Sequence, residues 1–496
     1  MLFTSLLFIF LFLPLTLFFY FIAANRFKAP LLFLASLIFY AWGGFSYTSV
    51  LLGSIVINYV SGILIGQAKA ERGRKRWFVM GIIANILLLV VFKYTNFLMD
   101  NVNLLTSLFQ WDELVVNAII LPLGISFYTF KAISYLISVK RREVEEQRNF
   151  IQLGLYISLF PQLLAGPIDR YRTLAPQLAN PSPNIDLFAS GIRRFTLGLA
   201  KKLLIANALS SATTEIFGLQ LMQMDVSLAW FGAALYMLQI YIDFSAYTDM
   251  AIGLGRMFGF RFMENFDFPY LSRSVHEFWR RWHISLSFWL RDYLFLPIAY
   301  STSRKLVKKR YFNIKTDYLI YLPAALVTFV ICGIWHGAAW TFLGWGLIHG
   351  LFLVFERIGL SRFLKRTFPI IQHAYLLLFL LLSWIFFRSG TLAEAFTYIR
   401  VMAGLSGPTA SSSGILQFLD LQLGIALILA IAGSTRILDN SVRKISQGFG
   451  AKRLAIRNVS FQLFEIGSIL FVVGILLLSV LFVVSETNTS FIYFQF

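Results

Sequence analysis

Cysteine, histidine and charge are all scarce in this 496-residue chain. The one cysteine, Cys332, excludes an intrachain disulfide and any cysteine-based metal cluster. There is no Gly-rich loop followed by Lys-Ser/Thr, no His-Glu-x-x-His helix and no Gly-x-Ser-x-Gly elbow. Phosphate-loop, zinc-helix and serine-triad chemistry therefore drop out, and no metal is expected. Charged residues make up only 14% of the chain against 58% hydrophobic, too little to solvate the surface of a soluble protein this long. Low-complexity tracts, short-period repeats and long Pro/Ser-rich linkers are likewise missing, so nothing marks off a separate soluble domain.

What fills the chain instead is apolar runs of roughly 20 residues, the length that crosses a bilayer as a helix. They recur from Leu2 to Val484, separated by short polar or basic stretches. The expectation is an all-α, polytopic integral membrane protein with roughly ten to fourteen membrane segments, some re-entrant or interfacial. The first run, Leu6 to Ala23, has no charged n-region before it and no small-residue cleavage site with a soluble mature chain after it, and is expected to be a retained span. One membrane domain is the simplest organisation. Its parts would be peripheral spans over 1–120, a core region over 121–357 where charge interrupts apolar sequence, and C-terminal spans over 358–496.

The formal charge of +19 does not gather into a nucleic-acid patch. Lys69, Arg72, Arg74, Lys75 and Arg76 follow one apolar run, and Lys140, Arg141, Arg142 and Arg148 another. Further clusters are Arg304, Lys305, Lys308, Lys309 and Arg310, then Arg357, Arg362, Lys365 and Arg366. The last comprises Arg436, Arg443, Lys444, Lys452, Arg453 and Arg457. Short basic loops between spans are the positive-inside pattern. With these loops in the cytoplasm, the Lys/Arg-poor loops 99–116 and 388–414 fall outside, and the N-terminus is extracytoplasmic. The bilayer is the partner that the charge implies; nucleic acid is not.

Between about Leu121 and Gly350, ionisable residues and Gly-Pro breaks occur at membrane depth, where they mark a cavity or site. Phe160-Pro161-Gln162-Leu163-Leu164-Ala165-Gly166-Pro167 reads as a re-entrant or kinked segment. From Val275 to Leu296, Phe278, Trp282, Leu286, Trp289 and Tyr293 recur every three to four residues. That spacing predicts one amphipathic helix, with Arg280, His283 and Ser287 on a neighbouring stripe. Snorkelling of its arginines to lipid headgroups explains the same pattern without a site. His336 stands between two apolar runs in Gly333-Ile334-Trp335-His336-Gly337. Imidazole can take a proton from a hydroxyl and return it, and the flanking glycines permit close approach. A core histidine hydrogen-bonded across helices is the bland alternative. His349 has the weaker case, and His373 beside a basic loop is expected at the interface.

These stretches resemble the membrane-bound O-acyltransferases, and within them the alginate O-acetyltransferase type. The resemblance rests on LPLGISFYTFKAISYLI from Leu121, FPQLLAGPIDR from Phe160 and YTDMAIGLGRMFGFRFMENF from Tyr247. HEFWRRWHISLSFWLRDYLF from His276, GIWHGAAWTFLGWGLIHG from Gly333 and SWIFFRS from Ser383 complete it. It implies that the histidine of the Trp-His-Gly element, His336, is catalytic with His283 as its partner. It also implies a ring of helices around a funnel in which donor and acceptor meet. Alginate-type members carry a Gly-Gly-Asn-Arg-like turn after Arg-Asp-Tyr-Leu, where this chain has Leu296-Pro297-Ile298-Ala299-Tyr300-Ser301-Thr302-Ser303. The reaction class carries over; the named polysaccharide does not.

The expected function is thus transfer of an acyl group, acetyl from cytoplasmic acetyl-CoA, to a hydroxyl for O-acetylation of an exported or cell-surface polysaccharide. Arg280 and Arg281, or the basic loop 302–317, are the expected contacts to the donor's phosphates, since guanidinium donates two parallel hydrogen bonds to phosphate. A periplasmic or cell-surface esterase-like protein is the expected partner. D-alanyl transfer to a cell-wall polymer is the alternative within this chemistry. A transporter would need paired broken-helix halves that are not visible here, and a secretion-complex scaffold would need no histidine.

Overall fold

A computed structural model describes residues 1–115, 117, 119–221, 224–405, 414–437, 454–485 and 491–492, with side chains from residue 465 onward in the last long helix. Regular structure there is almost entirely helical, as the apolar run lengths predict. Among the described residues, seven helices are long and apolar enough to cross a membrane: Phe45–Gln67, Glu71–Leu108, Val226–Met257, Thr316–His336, Trp340–Leu364, Pro369–Arg388 and Glu465–Ser485. Shorter apolar helices lie at Phe8–Ile22 and Leu421–Gly433. The chain is a multi-pass membrane protein. Arg443, Lys444, Lys452 and Arg453 of the last basic stretch lie outside the described residues, as does the Arg457 side chain. In the basic stretch 302–317, Arg310 pairs with Lys315 and Tyr311 with Ile314 in a two-stranded hairpin. Phe312 and Asn313 turn it at φ 48° and 62°, a two-residue turn that matches strand twist.

The described chain divides into two compact units. The first comprises Met1–Phe195 with Tyr247–Met263. Its helices Phe45–Gln67, Glu71–Leu89 and Ile125–Lys140 pack on one another. A Cβ on Gly62 would run into the Tyr135 ring, and one on Gly81 into Leu136 and Ser61, so small residues set their approach. Buried Asn58 and Asn85 exchange amide hydrogen bonds of 3.0 and 2.9 Å across two of these helices. The break expected near Pro161 is present. Helix Phe150–Ser158 stops at Leu159 (ψ 111°), one turn Phe160–Leu163 follows, and extended backbone leads to Tyr171–Ala179. A buried polar chain secures it: Lys131 Nζ donates to Gln162 Oε1 at 2.9 Å, and Gln162 Nε2 to Asp169 Oδ2 at 2.6 Å. Met263 N donates to Asp169 Oδ1 at 3.2 Å. Irregular backbone at membrane depth persists only when protein satisfies it in this way.

The second unit comprises Thr196–Ala246 with Glu264–Phe496. Helices Thr316–His336 and Trp340–Phe355 are its most intimate pair. A Cβ on Gly333 would run into the Phe342 carbonyl, and one on Gly346 into the Phe329 carbonyl, so the two backbones touch. Pro369–Arg388 packs on Trp340–Phe355 and ends at the cationic Arg388.

The single helix predicted over Val275 to Leu296 is not formed. Val275–Arg281 and Ile284–Leu290 are separate helices, with Trp282 and His283 between them. The apolar period continues across the break, but the backbone does not: His283 is left-handed at φ 42°, ψ 55°, a conformation costing roughly 1–2 kcal/mol for an L-residue. The segment just after Glu264 supplies the compensation. Asp267 N donates to Arg281 O, and Ile284 N to Asn265 O, each at 3.0 Å. Those bonds satisfy backbone groups that the interrupted helix leaves orphaned. The N-terminus of Val275–Arg281 is also held. Ser274 Oγ accepts from Glu277 N at 3.1 Å, while the Glu356 carboxylate accepts from Val275 N at 2.7 Å and His276 N at 3.0 Å.

Candidate active site

His283 owes its orientation to the break. Its Nδ1 lies 3.1 Å from Asn265 Oδ1, which also accepts from Ser285 N at 3.2 Å and Ser285 Oγ at 2.9 Å. A backbone N–H can only donate, so the atom it meets is the amide oxygen, and His283 must carry its proton on Nδ1. Nε2 is then the lone-pair nitrogen. Burial pushes the imidazole down to about 3, so it is neutral near pH 7 and its Nε2 can accept a hydrogen bond. The Phe244 ring packs edge-on to it at 4.8 Å.

His336 ends the Thr316–His336 helix, 5% exposed. Three rings enclose it edge-on: Trp335 at 4.8 Å, Trp345 at 5.0 Å and Phe387 at 5.1 Å between centroids. Trp335 also faces His283 at 6.3 Å. The two histidines singled out in the sequence, 53 positions apart by their numbers, thus share the Trp335 ring. Close packing at Gly333 and Gly337 permits this, since a Cβ on Gly337 would run into the Phe342 ring.

Other expected residues are placed differently. Ser287 does not offer a free hydroxyl, because its Oγ donates to Trp282 O at 3.2 Å. Arg281 is engaged by Glu277 at 2.9 Å and Asp267 at 3.2 Å, whereas Arg280 is exposed. His349 is fully buried and accepts from Trp279 Nε1 at 3.1 Å. His373 Nδ1 meets Ser272 O at 3.1 Å on a half-buried face. Asn265 escaped the sequence reading. It lies in an irregular segment, and no periodicity links it to His283. Among the described residues no group of three or more His, Cys, Asp or Glu side chains is arranged to hold a metal ion.

The profile of the membrane-bound O-acyltransferase family matches residues 99–392. The chain is 36% identical to a probable alginate O-acetylase of Azotobacter vinelandii over the full length of both chains. The chain belongs to the membrane-bound O-acyltransferase family. A peptidoglycan O-acetyltransferase of Helicobacter pylori is 36% identical over 82% of this chain and 80% of its own. A teichoic acid D-alanyltransferase of Bacillus subtilis is 30% identical over 59% of this chain and 71% of its own. The matched region of this membrane-bound O-acyltransferase contains both histidines, Asn265 and the aromatic rings around His336. An acyltransferase needs an activated hydroxyl held close to a thioester carbonyl, away from bulk water. Here the two imidazoles are buried and share the Trp335 ring as an aromatic wall.

Proposed function

We propose that this acyltransferase moves an acetyl group from cytoplasmic acetyl-CoA to a hydroxyl of an exported or cell-surface polysaccharide. His336 acts as general base, and His283 orients the acceptor hydroxyl. The observation that carries this reading is the fixed tautomer of His283, with Asn265 on Nδ1 and the shared Trp335 ring leading to His336. A hydroxyl is a poor nucleophile at neutral pH, and a positioned base contributes about 10² to 10⁴ in rate. Acetyl is favoured over D-alanyl by the relatives: the alginate O-acetylase aligns over the whole chain, the D-alanyltransferase over 59% of it. Phosphates of the donor fall to exposed Arg280 and the basic stretch 302–317, with Arg281 contributing less because two carboxylates already balance it. The protein sits in the cytoplasmic membrane with its N-terminus outside, and works beside an extracytoplasmic, esterase-like partner.

The donor assignment is tested by thioester consumption. Purified protein is expected to release thiol from acetyl-CoA in a polysaccharide-dependent manner, and not from a carrier-bound D-alanyl thioester. Turnover of the D-alanyl thioester alone would replace the acetyl reading with the alternative.

A further inference from the structure

Beside His336 lies a group of hydrogen-bond donors that the general-base scheme does not use. Trp279 Nε1–H donates to His349 Nδ1 at 3.1 Å. An indole nitrogen cannot accept, so His349 carries its proton on Nε2. That Nε2–H, the Nε1–H of Trp345 and the Nε1–H of Trp384 are all buried without a hydrogen-bond partner among the described residues. Their side chains are sealed, with His349 and Trp345 at 0% exposure and Trp384 at 1%. The rings adjoin: Trp345 lies 4.6 Å from His349, 6.0 Å from Trp384 and 5.0 Å from His336 between centroids. Buried polar groups are normally satisfied, and exceptions call for a reason. Phenylalanine would fill either tryptophan site without leaving a donor unmet. Three unmet donors on neighbouring rings, one of them against the base, suit an oxygen that accumulates negative charge.

We propose that Trp345 and Trp384, with His349 Nε2–H, bind the carbonyl oxygen of the acyl group during transfer and stabilise its oxyanion; this rests on the acyl-transfer reading above. As the acceptor hydroxyl oxygen bonds to the carbonyl carbon, its proton passes to the His336 imidazole. The C=O π pair moves onto the carbonyl oxygen, where the N–H donors meet it. Collapse re-forms C=O and breaks the C–S bond, and the imidazolium returns the proton to the departing thiolate. Neutral donors held rigidly in a dry site favour the anion over the ground-state carbonyl. Rigidity is provided for, since Trp384 packs on Trp282 at 5.2 Å and on Phe387 at 5.4 Å.

The test uses Trp345→Phe and Trp384→Phe, which keep a ring and remove the N–H. Single-turnover transfer from acetyl-CoA should fall by about tenfold to 10³-fold in each, the range seen when one oxyanion donor is removed, with donor Kd within about threefold of the parent. A second measurement separates this from loss of packing. Acetonyl-CoA, an unreactive methyl ketone with a labelled carbonyl, should show a lowered C=O stretch when bound to the parent, returning toward its solution value in both variants. Variants that transfer at the parental rate and leave the stretch unchanged would overturn the proposal. If the parent proves active only with another thioester, the donor assignment fails. The same variants assayed with that thioester then decide the subsite.

Discussion

At the residue scale the decisive contact is the one between His283 and Asn265. His283 was legible because a histidine amid arginines and tryptophans resembles a known element, but its protonation was not, since the amide that fixes it sits in an irregular segment. Oδ1 of Asn265 is pinned by Ser285 N, which fixes the tautomer, while burial pushes the imidazole down to about 3 and keeps it neutral. Its lone pair therefore survives at pH values where an ordinary histidine is already charged. Asn265→Ala should lower transfer by about tenfold or more by releasing the tautomer and the left-handed turn. Asn265→Asp keeps the acceptor but places a carboxylate beside the ring, favouring imidazolium and raising the pKa. Its rate should consequently drop as pH falls below about 6.5, a limb that His283 does not impose on the parent. Superimposable pH–rate profiles for Asn265→Asp and the parent would contradict the assigned tautomer.

At the scale of elements, spans were readable because a bilayer leaves the backbone little choice but helix. The break near Pro161 was readable too, from glycine and proline. The break at Trp282–His283 was not, because Phe278, Trp282, Leu286, Trp289 and Tyr293 keep a helical period across it. What ends the first helix is a tertiary partner, the hydrogen bonds from Asp267 and to Asn265. The basic loops make a separate prediction, that 67–77 and 302–317 face the cytoplasm. Arg74 is an unsuitable probe: it is buried, with its guanidinium bound to the Ile65 and Ala68 carbonyls and to Glu71. Arg72 and Lys308 are exposed, and the native Cys332 is buried. Cysteines introduced at Arg72 and Lys308 should react with an impermeant maleimide only after permeabilisation. Reaction in intact cells would reverse the topology.

For the whole molecule, the proposed chemistry belongs to a small part of a long chain. His283, Asn265, His336 and the rings around them all lie in the unit formed by Thr196–Ala246 and Glu264–Phe496. Helices such as Glu465–Ser485, with Leu470 and Leu481 outward, present apolar side chains suited to lipid. The expense of burying imidazoles and indole donors in an apolar molecule makes sense if they handle a proton and an oxyanion during transfer. The direct measurement is single-turnover acyl transfer by purified His336→Ala and His283→Ala beside the parent, with donor binding determined separately. His336→Ala should be slower by at least about a hundredfold, the contribution of a positioned base, and His283→Ala by less, with donor affinity nearly intact in both. Transfer by His336→Ala at more than about a tenth of the parental rate would contradict its role as general base.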